Sequence, residues 1–560
     1  MKEKLLKNKT ELICYIIAML VTTTLATALS YAMAALIDKA VEGNVRVLLL
    51  TLASAGVIAI SYLVLEYLTH LWKYAMVKSM NVRMRQNVFE KIFALKTCQY
   101  EERNSAEYIN HLVSDCDMIS DLYIDTVFNF IEGATQMLVV VIAVLITSVP
   151  MFCVMIIITI IAVIVSNLGG DKMEDAAQNY AQCRERYNTY VKERMTNYHL
   201  VRLYNLYTHE KKAHKEIVET MESALYTQKK IYAGKVISGE TMGLGTTLLV
   251  MAAAAFMAIN HMVSIGFVLV AGELVGRIIY PVTTIPQIVV SLKAAKPIFE
   301  RLDGIVEADG GNEREGKSEV KEIKEICFKN VGFSYKGLKT PALEDINCRF
   351  VSGQKYLIVG ESGCGKTTLL RLLSHTYVTT EGEVLLNTED INQYSDESLY
   401  AKIGYMTQDV LLIEDSLRSN LSLYREFSDE KIYEALKSAG FTNPQTEFEN
   451  GLDTMIAEDG KNFSGGQRQR MALARVLLHD FEWLVFDEFT SNLDSQIAEQ
   501  MEDQILKLNK SVITVSHRLR KQAAEKYDQI IVMEKGHIVE MGTYGELMKR
   551  KGSFYKMIEK

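Results

Sequence analysis

The chain has 560 residues, 49% of them hydrophobic, and a formal net charge of −8. That length is too great for one hydrophobic core, so two or more domains are expected. The acidic balance argues against nucleic acid as a main partner. Eight cysteines lie scattered, with no C-x-x-C pair and no clustered histidines. A disulfide framework or zinc site is therefore not expected, and a reducing compartment suits the soluble half.

Apolar runs fill residues 1–300. Six segments, near 12–36, 47–70, 126–147, 150–169, 238–259 and 263–291, are long enough to cross a bilayer, since about 20 helical residues cover roughly 30 Å. The N-terminus is basic (Lys2, Lys4, Lys7, Lys9), but the run after it is too long for a signal peptide, so Leu12 onward reads as a retained first span. Connections after the first, third and fifth spans are very short; those after the second and fourth are long and rich in Lys and Arg. The positive-inside rule places the long ones, the N-terminus and the C-terminal domain in the cytoplasm. Tyr74–Leu95 and Met173–Arg194 lack proline and predict helical stalks, with tips near Ser114–Tyr123 and Glu193–Leu200 as candidate contacts with the soluble domain. In the sixth span Glu273 and Arg277 share a helix face. Ionisable groups at membrane depth face a cavity or one another, so this pair either lines a substrate cavity or neutralises itself. Pro281 and Pro286 predict a kink in the same span.

Residues 303–324 are charged, contain Gly310-Gly311 and read as a linker between a domain at 1–302 and another at 325–560. Glu325–Tyr335 and Ala342–Val351 predict strands. Tyr356–Val359 is a short apolar strand leading into Gly360-Glu361-Ser362-Gly363-Cys364-Gly365-Lys366-Thr367, and a helix-forming run opens at Thr368. Strand, glycine loop and helix form a phosphate cradle: backbone N–H groups close on the phosphates, Lys366 reaches the β/γ oxygens, and Thr367 offers a hydroxyl to Mg²⁺. Further on, Trp483–Glu488 is an apolar strand ending in two acids. Asp487 would hold Mg²⁺, directly or through water, and Glu488 would accept a proton from the attacking water.

Phe463-Ser464-Gly465-Gly466-Gln467 resembles the Leu-Ser-Gly-Gly-Gln signature of ATP-binding cassette (ABC) transporters, with Phe in place of the leading Leu. Ser464 and two glycines opening a helix would offer free N–H groups to a phosphate. In a chain that already holds a phosphate loop, this second anion site would grip ATP bound to another copy. The resemblance implies a role for further positions. Tyr335 matches the aromatic residue that stacks on adenine, and Gln408 the glutamine that contacts Mg²⁺. Ser491-Asn492-Leu493-Asp494 matches a loop usually read Ser-Ala-Leu-Asp. His517 matches the histidine at the γ-phosphate, and Ala457–Gly460 a short segment that touches intracellular loops, reading Glu-Asp where Glu-Arg is usual.

The resemblance implies an all-α membrane domain of six transmembrane helices with long cytoplasmic extensions, followed by an α/β P-loop cassette. With six spans ahead of one cassette, the chain is similar to an exporter half-transporter. It would be multi-pass in the plasma membrane, in contact with membrane lipid, dimeric with itself or a paralogue, and driven by ATP and Mg²⁺. Its cargo would be an amphipathic small molecule, lipid or peptide; an importer or an ATP-gated channel or sensor on the same fold stays open. Composition points to a bacterial source. Leader removal during export is not expected from this chain.

Overall fold

The computed structural model describes residues 9–166, 170–307, 318–337, 340–490, 495–517 and 520–559. They divide into two compact units, Met1–Phe93 with Ser105–Ala308 and Ala94–Asn104 with Asp309–Lys560. The short segment 94–104 groups with the second unit although its flanking helices belong to the first.

The first unit is helical. It contains α1 (Lys9–Val41), α2 (Val45–Phe93), α4 (Ser105–Thr147), α5 (Val149–Ser166), α6 (Gly170–Thr196), α7 (Tyr198–Leu203), α8 (Tyr207–Ile259) and α9 (Ile265–Glu307); α3 (Thr97–Glu101) is in the second. Among the described residues five helices, α1, α2, α4, α8 and α9, are long and apolar enough to cross a membrane, and α5 is a shorter apolar helix. The expected fourth span, 150–169, overlaps α5, but residues 167–169 lie outside the described residues. Small residues let helices approach closely. A Cβ on Gly266 would sit 2.0 Å from the Ala34 carbonyl oxygen, and the Gly266 N–H donates to Asp38 Oδ1 at 2.7 Å, fixing α9 against α1. Tyr15 is buried edge-on against Phe128 and Trp72. Neither Pro281 nor Pro286 ends α9.

One expected stalk tip is misplaced. Ser114–Tyr123 is no turn; it lies inside α4, which passes through π-helical turns at His111–Asp115 and Ser120–Ile124. Its Ser and Asp residues mimic a turn composition, but they face partners instead. Arg85 on α2 donates to the Leu112 carbonyl (2.7 Å) and pairs with Asp117, and Asn81 donates to Ser120 Oγ (2.9 Å). Buried His111 and Asp115 bond each other at 2.7 Å, and Arg301 of α9 reaches Asp115 at 3.0 Å. The chain reverses earlier, at 94–104, around α3. The second tip falls close to its expected place, between α6 and α7; Tyr190 and Arg194 both donate to Glu210 there (2.6 and 2.8 Å).

The second unit carries two sheets. A four-stranded antiparallel sheet has the order β2-β1-β4-β5, from β1 (Glu325–Phe333), β2 (Leu343–Val351), β4 (Glu381–Leu386) and β5 (Glu389–Asp390). A six-stranded sheet has the order β10-β9-β3-β8-β7-β6. Its strands are β3 (Lys355–Gly360), β6 (Ile403–Met406), β7 (Trp483–Asp487), β8 (Ser511–Ser516), β9 (Gln529–Glu534) and β10 (His537–Gly542). All but β10 run parallel, and β3 and β7, apolar apart from Lys355 and Asp487 at their ends, are buried along most of their length, as strands covered on both faces must be. The stretch read as the end of a linker is packed: Val320 and Ile323 are buried, and the Trp483 indole donates to the Ile323 carbonyl at 3.0 Å.

Candidate nucleotide site

Parallel register brings one set of strand ends to a single edge. Val359 pairs with Ser516, Asp487 with Val515, and Met406 with Phe486. The loop after β3, His517 after β8, Glu488 after β7 and Gln408 after β6 therefore share that edge, where ligands of open α/β sheets bind.

The loop after β3 needs its glycines. Gly363 and Gly365 adopt φ of +79° and +103°, and a Cβ on Gly365 would stand 2.7 Å from the Ala342 carbonyl oxygen. Glu361 and Ser362 form the exposed turn, whereas the Cys364 thiol is buried beneath it. Gly365 then caps α10 (Lys366–Leu373), whose first turn points its N–H groups into the loop. The buried Lys366 ammonium donates to the carbonyls of Gly360 (2.9 Å) and Glu361 (2.8 Å), which aims it back across the cradle. The Tyr335 hydroxyl meets Thr368 Oγ1 at 3.0 Å, and its ring packs edge-on to Phe333 and Tyr377.

Asp487 is 4% exposed, and its Oδ1 has no hydrogen-bond partner among the described residues. Burial pushes its carboxyl above the usual carboxylate range, the Thr367 hydroxyl pulls it down, and the charge of Glu488 raises it again. An orphaned carboxylate oxygen beside a hydroxyl fits a hard divalent cation such as Mg²⁺, which takes oxygen donors. Glu488 sits at φ +51°, its N–H bonded to the Val515 carbonyl. Gln408 Nε2 donates to one carboxylate oxygen at 2.9 Å, and His517 Nε2 contacts the other.

The second glycine motif lies elsewhere in the unit. Ser464 caps α11 (Gly465–Leu478), with Gly466 in its first turn; Ser464 Oγ accepts from the Gln467 N–H (3.2 Å), and Gln467 Oε1 accepts from the Ser464 N–H (2.9 Å). Phe463 packs into the core against Phe448, an anchoring role that Leu would also fill. Ser491, Asn492, Leu493 and Asp494 lie outside the described residues. Asp459 takes φ +55°, and Glu458 pairs with Lys461 at 2.6 Å.

Sequence reasoning missed a cluster around segment 94–104. Glu101 accepts from the Tyr377 hydroxyl and lies 3.7 Å from Arg371, whose guanidinium stacks over the Tyr377 ring. Glu102 pairs with Lys336 at 3.1 Å. No motif marks these residues. The one available signal was the break in apolar periodicity after Phe93.

Residues 12–280 match the family described as ABC transporter transmembrane region, and residues 343–491 match the family described as ABC transporter. The chain belongs to the ABC transporters. The exporter is 29% identical over 488 residues to the ATP-dependent lipid A-core flippase of Albidiferax ferrireducens, covering 84% of this chain and 82% of the relative. It is 26% identical to the flippase 2 of Colwellia psychrerythraea, over 85% and 82%. With the Escherichia coli K12 flippase identity is 36%, but over only 48% and 45%. A bacterial Atm1-family ABC exporter solved with ATP bound superposes with a TM-score of 0.79, at 20% identity and over 98% and 97% of the two chains, which shows a shared fold. The protein is a multi-pass, ATP-driven exporter half-transporter whose helical transmembrane domain precedes an ATP-binding α/β ATPase domain.

Proposed function

We propose that two such subunits assemble in the inner membrane of a bacterium, cassettes cytoplasmic, and move a lipid-like amphiphile outward. ATP binds to the Gly360–Thr367 loop of one subunit, with Tyr335 against the base, and the Ser464–Gly466 helix start of the partner subunit closes over it. The support is the capped N-terminus of a 14-residue helix, whose Ser464 is exposed. Thr367, Asp487 and Gln408 would hold Mg²⁺, which when bound spreads the charge on the β- and γ-phosphate oxygens.

The observation that carries the reading is Glu488, fixed between Gln408 and His517 at the edge shared with Lys366 and Asp487. A carboxylate so oriented removes a proton from water attacking the γ-phosphate, and His517 steadies it. Binding closes the cassettes and turns the cavity outward; hydrolysis resets them. The lipid-like cargo rests on the flippase relatives and on helices rich in exposed apolar side chains. The test is ATP turnover by the purified protein in nanodiscs beside Glu488→Gln. The variant should retain ATP and lose turnover; phosphate release at the parent rate would remove Glu488 from the mechanism.

Of the expected cavity residues, Glu273 and Arg277 bond each other at 2.6 Å, and Ser30 Oγ donates to Glu273 at 3.0 Å. The two side chains partner each other, the second of the two roles that the sequence offered for them.

A further inference from the structure

Gln408 reaches Glu488 from a stretch without regular structure: β6 ends at Met406, and the next helix opens only at Leu417. No periodic ladder fixes the backbone of this loop, so its carbonyls and N–H groups depend on side-chain partners. Within it the Thr407 hydroxyl donates to the Asp409 carbonyl at 2.6 Å. Beyond Gln408 the Leu411 side chain is exposed, whereas Leu412 packs into the core.

Two side chains from later in the chain hold the loop. Buried Asn420 closes an amide pair on Ile413: the Ile413 N–H donates to Asn420 Oδ1, and Asn420 Nδ2 donates to the Ile413 carbonyl, both at 2.8 Å. Arg475, near the end of α11, spans two elements with one guanidinium. Its Nη1 donates to the Leu411 carbonyl (3.0 Å), its Nε to the Asn420 carbonyl (2.8 Å), and its Nη2 lies 3.5 Å from Asn420 Oδ1. All three acceptors are uncharged. Arg475 is partly buried, and burial pulls its pKa below the usual arginine range with no carboxylate among the described residues acting against it. Taking a guanidinium out of water without a counter-ion is costly, and packing alone is served better by an apolar side chain of similar length. Reach explains the arginine: its planar fork bonds the loop and the Leu417–Ser422 helix at once.

We propose that Arg475 is a positioning residue for ATP hydrolysis. It pins the Leu411 carbonyl, and with it the loop that brings the Gln408 amide to Glu488 Oε2 at 2.9 Å. Without that brace the loop gains freedom, the Gln408 bond is made less often, and Glu488 is less often aimed at water. The inference rests on the role proposed above for Glu488 and adds a residue that acts on it through Gln408.

The test compares Arg475→Met and Arg475→Lys with the parent, full-length in nanodiscs, by steady-state ATPase and by hydrogen exchange. Arg475→Met should lower kcat about tenfold, as a misplaced group does, with KM for ATP within about twofold of the parent. Lysine keeps a donor for one carbonyl only, so Arg475→Lys should lose about threefold in kcat. Exchange at the amides of 409–413 should quicken about tenfold in Arg475→Met and about threefold in Arg475→Lys, and stay at the parent rate in the phosphate loop. Arg470→Met removes a guanidinium from the same helix, one bonded to the Gly440 carbonyl at 2.9 Å, and should leave exchange at 409–413 unchanged. Added to Gln408→Ala, Arg475→Met should cost little more, since both act on one contact. Parent exchange at 409–413 in Arg475→Met, full additivity with Gln408→Ala, or a raised KM at the parent kcat overturns the proposal. Equal loosening by Arg470→Met, the mark of a general loss of packing, overturns it too. If Arg475→Met does not fold, Arg475→Lys decides, and parent values of both kcat and exchange refute the brace. The reading of Glu488 is judged apart: an inactive Glu488→Gln beside Arg475 variants at the parent kcat removes only Arg475, whereas parent turnover by Glu488→Gln removes both.

Discussion

Glu101→Gln should release segment 94–104 from the ATPase unit while leaving the phosphate loop intact. In the structure the Glu101 carboxylate accepts from the Tyr377 hydroxyl and faces Arg371 at 3.7 Å. Burial, reinforced by Glu101, pushes the Tyr377 phenol up to about 12, so it stays a donor at any working pH. A hydrogen bond to a charged group contributes about 1.5–3 kcal/mol. The Arg371 pair, with Arg371 and Glu101 more than a third exposed, adds less than about 1 kcal/mol after solvent screening. Loss of about 2 kcal/mol would raise the undocked population of the segment roughly 30-fold. Glu102→Gln should do far less, because its partner Lys336 is 85% exposed. Hydrogen exchange at the amides of 97–101 reads the difference directly: about 30-fold faster in Glu101→Gln, within about 3-fold of the parent in Glu102→Gln. Tyr377→Phe should reproduce most of the effect, and the double variant should be well short of additive. Equal effects of the two glutamate variants, or full additivity with Tyr377→Phe, would refute the assignment.

Lys366→Ala should weaken ATP binding about 100-fold, the loss of charge-assisted bonds of some 3 kcal/mol; equilibrium binding of a fluorescent ATP analogue checks it, and unchanged affinity would count against the cradle. Asp487→Asn should stabilise the ATP-free protein at neutral pH, because burial raises the folded carboxyl above its unfolded value and the charged form therefore costs stability. That cost grows as pH rises from the unfolded through the folded value and vanishes below both, so the melting advantage of the variant should disappear in acid; an advantage that grows in acid reverses the sign. Mg²⁺-dependent stabilisation by ATP should be lost in the same variant. Gly360→Ala, whose Cβ would sit 2.2 Å from the Met533 carbonyl oxygen, should cost about 3 kcal/mol and lower the melting temperature of the ATPase domain, and an unchanged melting curve would show that the loop can yield.

Local chemistry was written plainly in the chain. Gly363 and Gly365 stand where the backbone turns left-handed, Ser464 and Gln467 cap a helix reciprocally, and Asp487-Glu488 end a strand whose apolar run could only be buried. Each depends on a few consecutive residues, so backbone sterics and short-range hydrogen bonding decide it. Where partners come from far along the chain, the sequence misled or fell silent. The polar run Ser114–Tyr123 looked like a turn because its bonds to Arg85 and Asn81 cross from another helix. Glu273 and Arg277 were visible as a pair one turn apart. That α4 meets α9 at Gly133 and Pro281, nearly 150 positions apart, left no such mark. Glu101 and Tyr377 carry no motif at all, since a hydrogen bond between a short helix and a strand-side tyrosine 276 residues away leaves no periodicity to read. The sequence alone determined the phosphate cradle, the helix cap and the order of membrane and ATPase domains. The gathering of Gln408, Glu488 and His517 on one sheet edge and the docking of segment 94–104 were decided by packing, because only the folded chain sets which distant side chains come within bonding distance.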